Sequence, residues 1–209
     1  IEGCGKSTHV KRLESRLKDA GYGVLSLREP GGTPLCEEIR DILKTPRPDE
    51  TVDSGTEALL FIASRRQIAR EVILPALDKG VCVLCDRFAD STTAYQAYGR
   101  GLDLKMIRTM NDFAIGEAVP DLTVLLDIPV DESMKRVEAR CREMGIERDR
   151  IEMEKVSFHE KVRQGYLTMA RNEENRFMIL DSTMDGDTVH NSIWRGVEAL
   201  LARKGNAKQ

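Results

Sequence analysis

A glycine-rich turn running straight into a helix restricts this chain's possible folds more than any other stretch. Residues 1–8 read Ile-Glu-Gly-Cys-Gly-Lys-Ser-Thr. This is one residue short of G-x-x-x-x-G-K-[ST], the loop whose glycines turn backbone N–H groups inward onto a polyphosphate. In that pattern Gly3, Cys4, Gly5 and Thr8 contribute to the phosphate cradle, Lys6 reaches the β- and γ-phosphates, and Ser7 offers its hydroxyl to Mg²⁺. Such a loop joins a buried parallel strand to a helix, which commits the chain to an α/β architecture. The Gly that opens the pattern and the strand that feeds it would both precede Ile1, so the expectation is that N-terminal residues are missing from this sequence. The competing reading of the same residues is a Gly-rich turn that only caps an amphipathic helix.

The remaining pattern decides for the loop. Val10, Leu13 and Leu17 recur at helical spacing, and Gly21 stops the run. The spacing then predicts a strand over 23–27, a helix over 34–44, a polar connection over 45–54 and a long helix over 57–78. Beyond these come a buried strand over 81–85, a helix over 103–117, a strand over 122–128, helices over 130–143 and 153–173, a strand over 177–180 and a helix over 187–203. Strands alternating with helices, the strands apolar throughout rather than in alternation, predict a three-layer fold with a parallel sheet covered by helices on both faces. Counting the strand before the phosphate loop, the sheet has five strands. No repeat or linker divides the 209 residues, so a single domain spans the chain.

Composition excludes several classes of function. A net charge of −3 argues against non-specific nucleic-acid binding as the main activity. No apolar run reaches the ~20 residues of a membrane span. Phosphate-loop chemistry places the chain in the cytoplasm, where the nucleotide is. Cys82 and Cys85 form a C-x-x-C that invites zinc. Strand residues three apart point to opposite faces, however, so these read as core cysteines of a reducing compartment.

In parallel sheets ligands collect at the carboxyl ends of the strands, which directs attention to the polar segments there. Arg28-Glu29-Pro30-Gly31-Gly32-Thr33 follows one strand; its glycines permit close backbone approach, and Arg28 is a candidate clamp for phosphate or carboxylate. Asp86-Arg87 ends another. A carboxylate there can hold Mg²⁺, and a guanidinium beside it can grip an acceptor phosphate bidentately. Phe61 and Arg65 lie one helical turn apart, a pairing that suits a flat heterocycle and equally suits core packing. Residues 135–150 hold six basic residues against four acids within an acidic protein. This segment, with its neighbours to 152, reads as an Arg-bearing lid over phosphates, with Arg140 and Arg150 as the leading candidates and Arg136 and Arg148 behind them.

Taken together, these segments resemble bacterial thymidylate kinases. The matching stretches are E-G-C-G-K-S-T at 2–8, R-E-P-G-G-T at 28–33, E-A-L-L-F-I-A-S-R-R-Q at 57–67 and D-R-F-A-D-S-T-T-A-Y-Q at 86–96, then G-R-G at 99–101, P-D-L-T-V-L-L-D at 120–127 and D-R-I-E at 149–152. They stand in family order over nearly the whole chain. The resemblance implies a nucleoside-monophosphate-kinase fold and transfer of the ATP γ-phosphoryl group to thymidine 5′-monophosphate, with Mg²⁺, in dTTP synthesis. It also implies that Phe61 stacks on thymine, Arg65 bonds its carbonyl edge, and Thr92 and Gln96 define the base pocket. By the same resemblance Tyr95 sits under the sugar, Arg87 binds the acceptor phosphate, Glu2 approaches the 3′-hydroxyl or the metal-bound phosphate, and Glu29-Pro30 shapes the acceptor pocket. Ser7 and Asp86 are the implied metal residues, and Lys6, Arg87, Arg140 and Arg150 the implied catalytic ones. With no base at Glu2 or Cys4 and an Arg-rich lid, the chain looks like the subclass that carries its catalytic arginine in the lid. The family suggests a homodimer through the helices at 57–78 and 103–117.

Two rivals stand beside this reading: another nucleotide kinase accepting dUMP, a purine monophosphate or a deoxynucleoside, and a nucleotide-binding module without turnover. The pocket residues favour thymine over the first. No N-K-x-D guanine signature supports a switch, and the retention of Lys6, Asp86 and Arg87 argues for turnover.

Overall fold

The computed structural model describes residues 1–47 and 49–206. Pro48, within the expected polar connection, and residues 207–209 lie outside the described residues. The elements run α1 (Lys6–Asp19), β1 (Val24–Arg28), α2 (Pro34–Lys44), α3 (Ser54–Ile68), α4 (Leu74–Asp78), β2 (Cys82–Asp86), α5 (Ala89–Thr92), α6 (Leu104–Ile115), β3 (Thr123–Asp127), α7 (Val130–Met144), α8 (Val156–Asn172), β4 (Phe177–Asp181) and α9 (Gly186–Asn206). No helix of the described residues is long and apolar enough to cross a membrane.

Local signals set the helix starts. Thr33 Oγ1 accepts from the Cys36 N–H at 3.2 Å, with Pro34 at the first helical position, so α2 begins where an N-cap and a fixed φ coincide. Asp53 and Asp103 cap α3 and α6 in the same way, accepting from Thr56 N at 2.9 Å and Met106 N at 2.7 Å. The long helix expected over 57–78 is interrupted by a π-helical turn at Ala69–Ile73 before α4. Pro75 accounts for this, because it has no N–H to give a carbonyl one turn back and its ring crowds that turn. Residues 89–99 fold as α5 followed by a π-helical stretch, Thr93–Gly99, in a region to which the sequence pattern assigned no element. Thr92 through Ala97 are all buried, so this element has no solvent face to create a periodic signal.

The strands form two parallel pairs, β1 with β2 and β3 with β4. These are the four strands expected within the sequence; the fifth, expected ahead of the phosphate loop, is not among the described residues. No described segment lies in strand conformation to bond β2 to β3. Register aligns Arg28 with Asp86 and Asp127 with Asp181, so every strand ends in a charged residue at its carboxyl end. Within β2, Leu84 packs into the main core with Leu17, Leu125, Ile128 and Val162, while Val83 packs into a second cluster with Cys36, Ile68 and Ile73. Helices thus cover both faces, as the unbroken apolar runs require. Leu17 and Leu43 are 1% and 0% exposed, each such burial contributing about 2 kcal/mol.

The turn after β1 has little room. Gly32 has φ +99°, and a Cβ there would run into Cδ1 of the fully buried Ile68. Gly32→Ala is expected to cost roughly 1–3 kcal/mol, read as a lower urea midpoint. An unchanged midpoint would show that the turn is not held by this approach.

Candidate active site

The carboxyl ends of β1 and β2, the loop at 1–8 and the start of α1 enclose an open cavity of about 460 Å³. Gly3 takes φ +64°, and a Cβ on it would stand 2.8 Å from the Ser133 carbonyl. The loop therefore lies flush against α7, where only glycine fits. Side chains from distant elements hold its backbone: Ser133 Oγ donates to the Glu2 carbonyl and Ser182 Oγ to the Cys4 carbonyl, each at 2.8 Å. Gly3, Gly5, Lys6, Ser7 and Thr8 line the cavity. Cys4 points inward instead and is 2% exposed. Lys6 Nζ donates to the Ile1 carbonyl at 2.6 Å and approaches Cys4 Sγ at 3.4 Å.

Ser7 and Asp86 meet across the loop, the Ser7 hydroxyl donating to Asp86 Oδ2 at 2.5 Å. The other carboxylate oxygen, Oδ1, is buried without a hydrogen-bond partner among the described residues. A buried acceptor left open beside a hydroxyl is a donor set suited to a hard divalent cation.

Arg87, at φ +71°, lines the cavity. Its Nη2 donates to Glu2 Oε1 at 2.7 Å, and the guanidinium lies 5.0 Å from the Tyr95 ring centroid. The Tyr95 hydroxyl donates to the same Glu2 oxygen at 2.7 Å. Burial alone would raise the Glu2 carboxyl, but the cations around it, Arg87 foremost, hold it well below the usual carboxylate range. Burial also pushes the Tyr95 phenol well up, with Glu2 adding to the effect, so the hydroxyl stays a donor. Behind Glu2 lies His159, fully buried, with Nδ1 3.8 Å from Glu2 Oε2.

Another wall of the cavity is built by Glu29, Pro30, Phe61, Thr92 and Gln96. Arg65 does not line it. The residue is 1% exposed and stands behind the wall, with Nε and Nη2 on Glu29 Oε2 at 2.9 and 2.6 Å and Nη1 on Thr92 Oγ1 and Asn111 Oδ1 at 2.8 and 3.0 Å. Phe61 and Arg65 share a helix, but only the aromatic ring reaches the cavity. Arg28 lines the rim and pairs with Glu37 at 2.9 Å.

The expected lid divides. Arg136 and Arg140 line the cavity; Arg140 pairs with Glu152 at 2.6 Å, and Arg136 donates to the Ser182 carbonyl at 3.0 Å. Arg148 pairs with exposed Glu138. Arg150 is away from the cavity, its Nη2 2.6 Å from Glu57 Oε2 and its Nε on the Leu43 carbonyl at 2.9 Å. Sequence reasoning missed Arg40, Lys44, Asp149 and Glu152, all of which line the cavity. Arg40 and Lys44 sit three and seven residues after Glu37 on α2, one helical face following a Gly-Gly turn, and that spacing was the available signal. It also missed Glu57, Arg100 and Asn111, which act through partners distant in sequence.

Lys6, Arg40, Arg87, Arg136 and Arg140 thus line one cavity that has the glycine-rich loop at one end and an aromatic, hydrogen-bonding wall at the other. The chain matches the family model described as thymidylate kinase over residues 1–193. It is 48% identical to the thymidylate kinase of Syntrophotalea carbinolica over 93% of this chain and 90% of the relative. Against that of Trichlorobacter lovleyi it is 45% identical over 97% of this chain and 95% of the relative. The crystal structure of thymidylate kinase from Ehrlichia chaffeensis superimposes with a TM-score of 0.74 at 32% identity, covering 95% of this chain and 94% of that one.

Proposed function

The chain belongs to the thymidylate kinase family and phosphorylates thymidine 5′-monophosphate to the diphosphate with ATP; from that premise we propose how its own residues divide the work. The observation that carries the assignment is the single cavity in which the Lys6–Ser7 cradle and the Glu2–Arg87–Tyr95 cluster face each other. Gly3, Gly5, Lys6, Ser7 and Thr8 hold the ATP phosphates, with the buried Cys4 supporting the loop from within. Arg87 grips the acceptor phosphate. Freed by that phosphate, Glu2 turns to the sugar 3′-hydroxyl. Phe61 stacks on the base, while Thr92, Tyr95 and Gln96 close around base and sugar. Glu29 and Pro30 form the floor, and Arg65 holds Glu29 and Thr92 in place.

Mg²⁺ fits Ser7 and Asp86, whose Oδ1 is open. When bound it supplies neutralising charge to the polyphosphate. Little covalent work falls to the protein: the acceptor phosphate is already an anionic nucleophile, so no general base is needed. Holding both nucleotides in line and screening the transferring group with Lys6, Arg136 and Arg140 accounts for the catalysis. Arg150 leaves Glu57 for the phosphates when the lid at 135–152 closes. The same reading joins the two strand pairs into one five-stranded sheet around a strand that leads into the phosphate loop, makes the enzyme cytoplasmic, and makes it a homodimer. For the dimer, Leu59 on α3 and Met106 and Phe113 on α6 supply apolar surface at 58%, 44% and 69% exposure.

A coupled ADP-release assay with ATP, Mg²⁺ and separate acceptors tests the function. We expect kcat/KM for dTMP to exceed that for dUMP by roughly tenfold or more, the discrimination one methyl group supplies, and purine monophosphates to be poor substrates. Preference for a purine monophosphate would discard the base pocket and keep the phosphate machinery. Absence of turnover with every acceptor would leave a nucleotide-binding module.

A further inference from the structure

Gln96 is 1% exposed yet lines the cavity, and only one end of its amide is committed. Its Nε2 donates to Glu57 Oε1 at 2.9 Å. Its Oε1 makes no hydrogen bond among the described residues, which leaves the carbonyl for whatever fills the cavity.

What decides this orientation lies outside the cavity. Glu57, on α3, is 1% exposed and has no surface on the cavity. Arg100 grips both its oxygens, Nε donating to Oε1 at 3.0 Å and Nη2 to Oε2 at 3.1 Å, a pairing that stays in place once lid closure takes Arg150 from its 2.6 Å approach. A carboxylate so surrounded is ionised and can only accept hydrogen bonds. The amide facing it must present nitrogen, because a carbonyl turned toward Glu57 would oppose acceptor to acceptor in a buried site. With nitrogen facing Glu57, the carbonyl is the end left to face the cavity. A base edge with a ring N–H, as in uracil and thymine, satisfies that carbonyl. Cytosine, whose corresponding ring nitrogen is an acceptor, leaves two lone pairs opposed.

We propose that Glu57 is a positioning residue that fixes the amide of Gln96 with its carbonyl toward the base, and so selects imide pyrimidines over cytosine. The proposal rests on the thymidylate kinase reading of the cavity. Its first test compares kcat/KM for dUMP and dCMP, a pair that lacks the 5-methyl group and differs only at the edge in question. In Glu57→Gln the replacement amide can donate as well as accept, so Gln96 is free to turn over. The dUMP-to-dCMP ratio is expected to fall by roughly tenfold or more, mainly through a higher KM for dUMP. In a Gln96→Ala background the same substitution should leave the ratio unmoved.

Equal losses for both substrates would mean that Glu57 only supports the fold, and would overturn the proposal. So would a further fall in the ratio without Gln96. If Glu57→Gln does not fold, calorimetry on the wild-type protein takes its place, and dCMP binding as tightly as dUMP overturns the orientation. Failure of the underlying function looks different: the wild-type enzyme would then not turn over dTMP at all.

Discussion

Lys6→Ala should lower kcat/KM for dTMP on the order of 10³-fold while leaving the thermal midpoint close to that of the wild type. The size follows from removing a preorganised cation from the region where charge develops on the transferring phosphoryl group, in a cavity partly shielded from water. The stability expectation follows from what Lys6 touches. Among the described residues its Nζ bonds only the Ile1 carbonyl and Cys4 Sγ and joins no ion pair, so its loss breaks no buried pair. Steady-state kinetics with dTMP, paired with a thermal melt, checks both halves. Turnover within a few-fold of wild type would remove Lys6 from the phosphate site; a collapsed melt would make the kinetic loss uninterpretable as chemistry.

Arg65→Met should have the opposite signature, with stability lost first. The guanidinium pairs with Glu29 at 2.6 Å, the two side chains being 1% and 3% exposed, and also serves Thr92 and Asn111. A methionine of similar reach leaves Glu29 buried without its cation, and breaking such a pair from one side costs about 3–5 kcal/mol. The pH dependence gives a separate check. Burial pushes the Glu29 carboxyl above its ordinary value, and Arg65 draws it partly back. A carboxyl raised in the folded state binds protons that the unfolded chain has released, so its contribution to stability falls as pH rises above the unfolded value near 4.5. Without Arg65 the rise is larger and the window extends further upward. The gap in melting temperature between variant and wild type should therefore be widest at neutral pH and narrow on acidification, as Glu29 takes up its proton. A gap of constant width from pH 5 to 7.5 would show that packing, not the stranded carboxylate, sets the loss.

These two residues also mark how far the sequence could be read. The phosphate loop was legible because backbone N–H groups can converge on a polyphosphate only where glycines admit the required φ, and Gly3 lies against Ser133 for that reason. The turn at 28–33 and the Asp86-Arg87 step were legible because charged residues directly after an apolar strand have few structural uses. Arg65 was harder. Its spacing from Phe61 placed both on one helix, but α3 is enclosed on more than one side, so two residues a turn apart can meet different neighbours. The pairing of Arg65 with Glu29 brings together segments that sequence periodicity treats separately.

The lid shows the same limit. Counting basic residues over 135–150 identified an unusual segment, but could not tell that Arg140 lines the cavity while Arg150 sits on Glu57. Nor could it find α5 and the π-helical stretch after it, because an element buried on all sides has no polar face to alternate with an apolar one.

By itself the sequence determined the strand–helix alternation, the glycine-rich loop, and which loop ends gather at the cavity, since these follow from local backbone freedom and from the cost of burying apolar surface in one period or another. Only the tertiary structure decided which end of Gln96 faces the cavity, and that Arg87 and Arg140 line it while Arg65 and Arg150 lie on Glu29 and Glu57. Those choices depend on pairings between residues far apart in the chain, where an ionised group settles on the partner that best replaces its lost water.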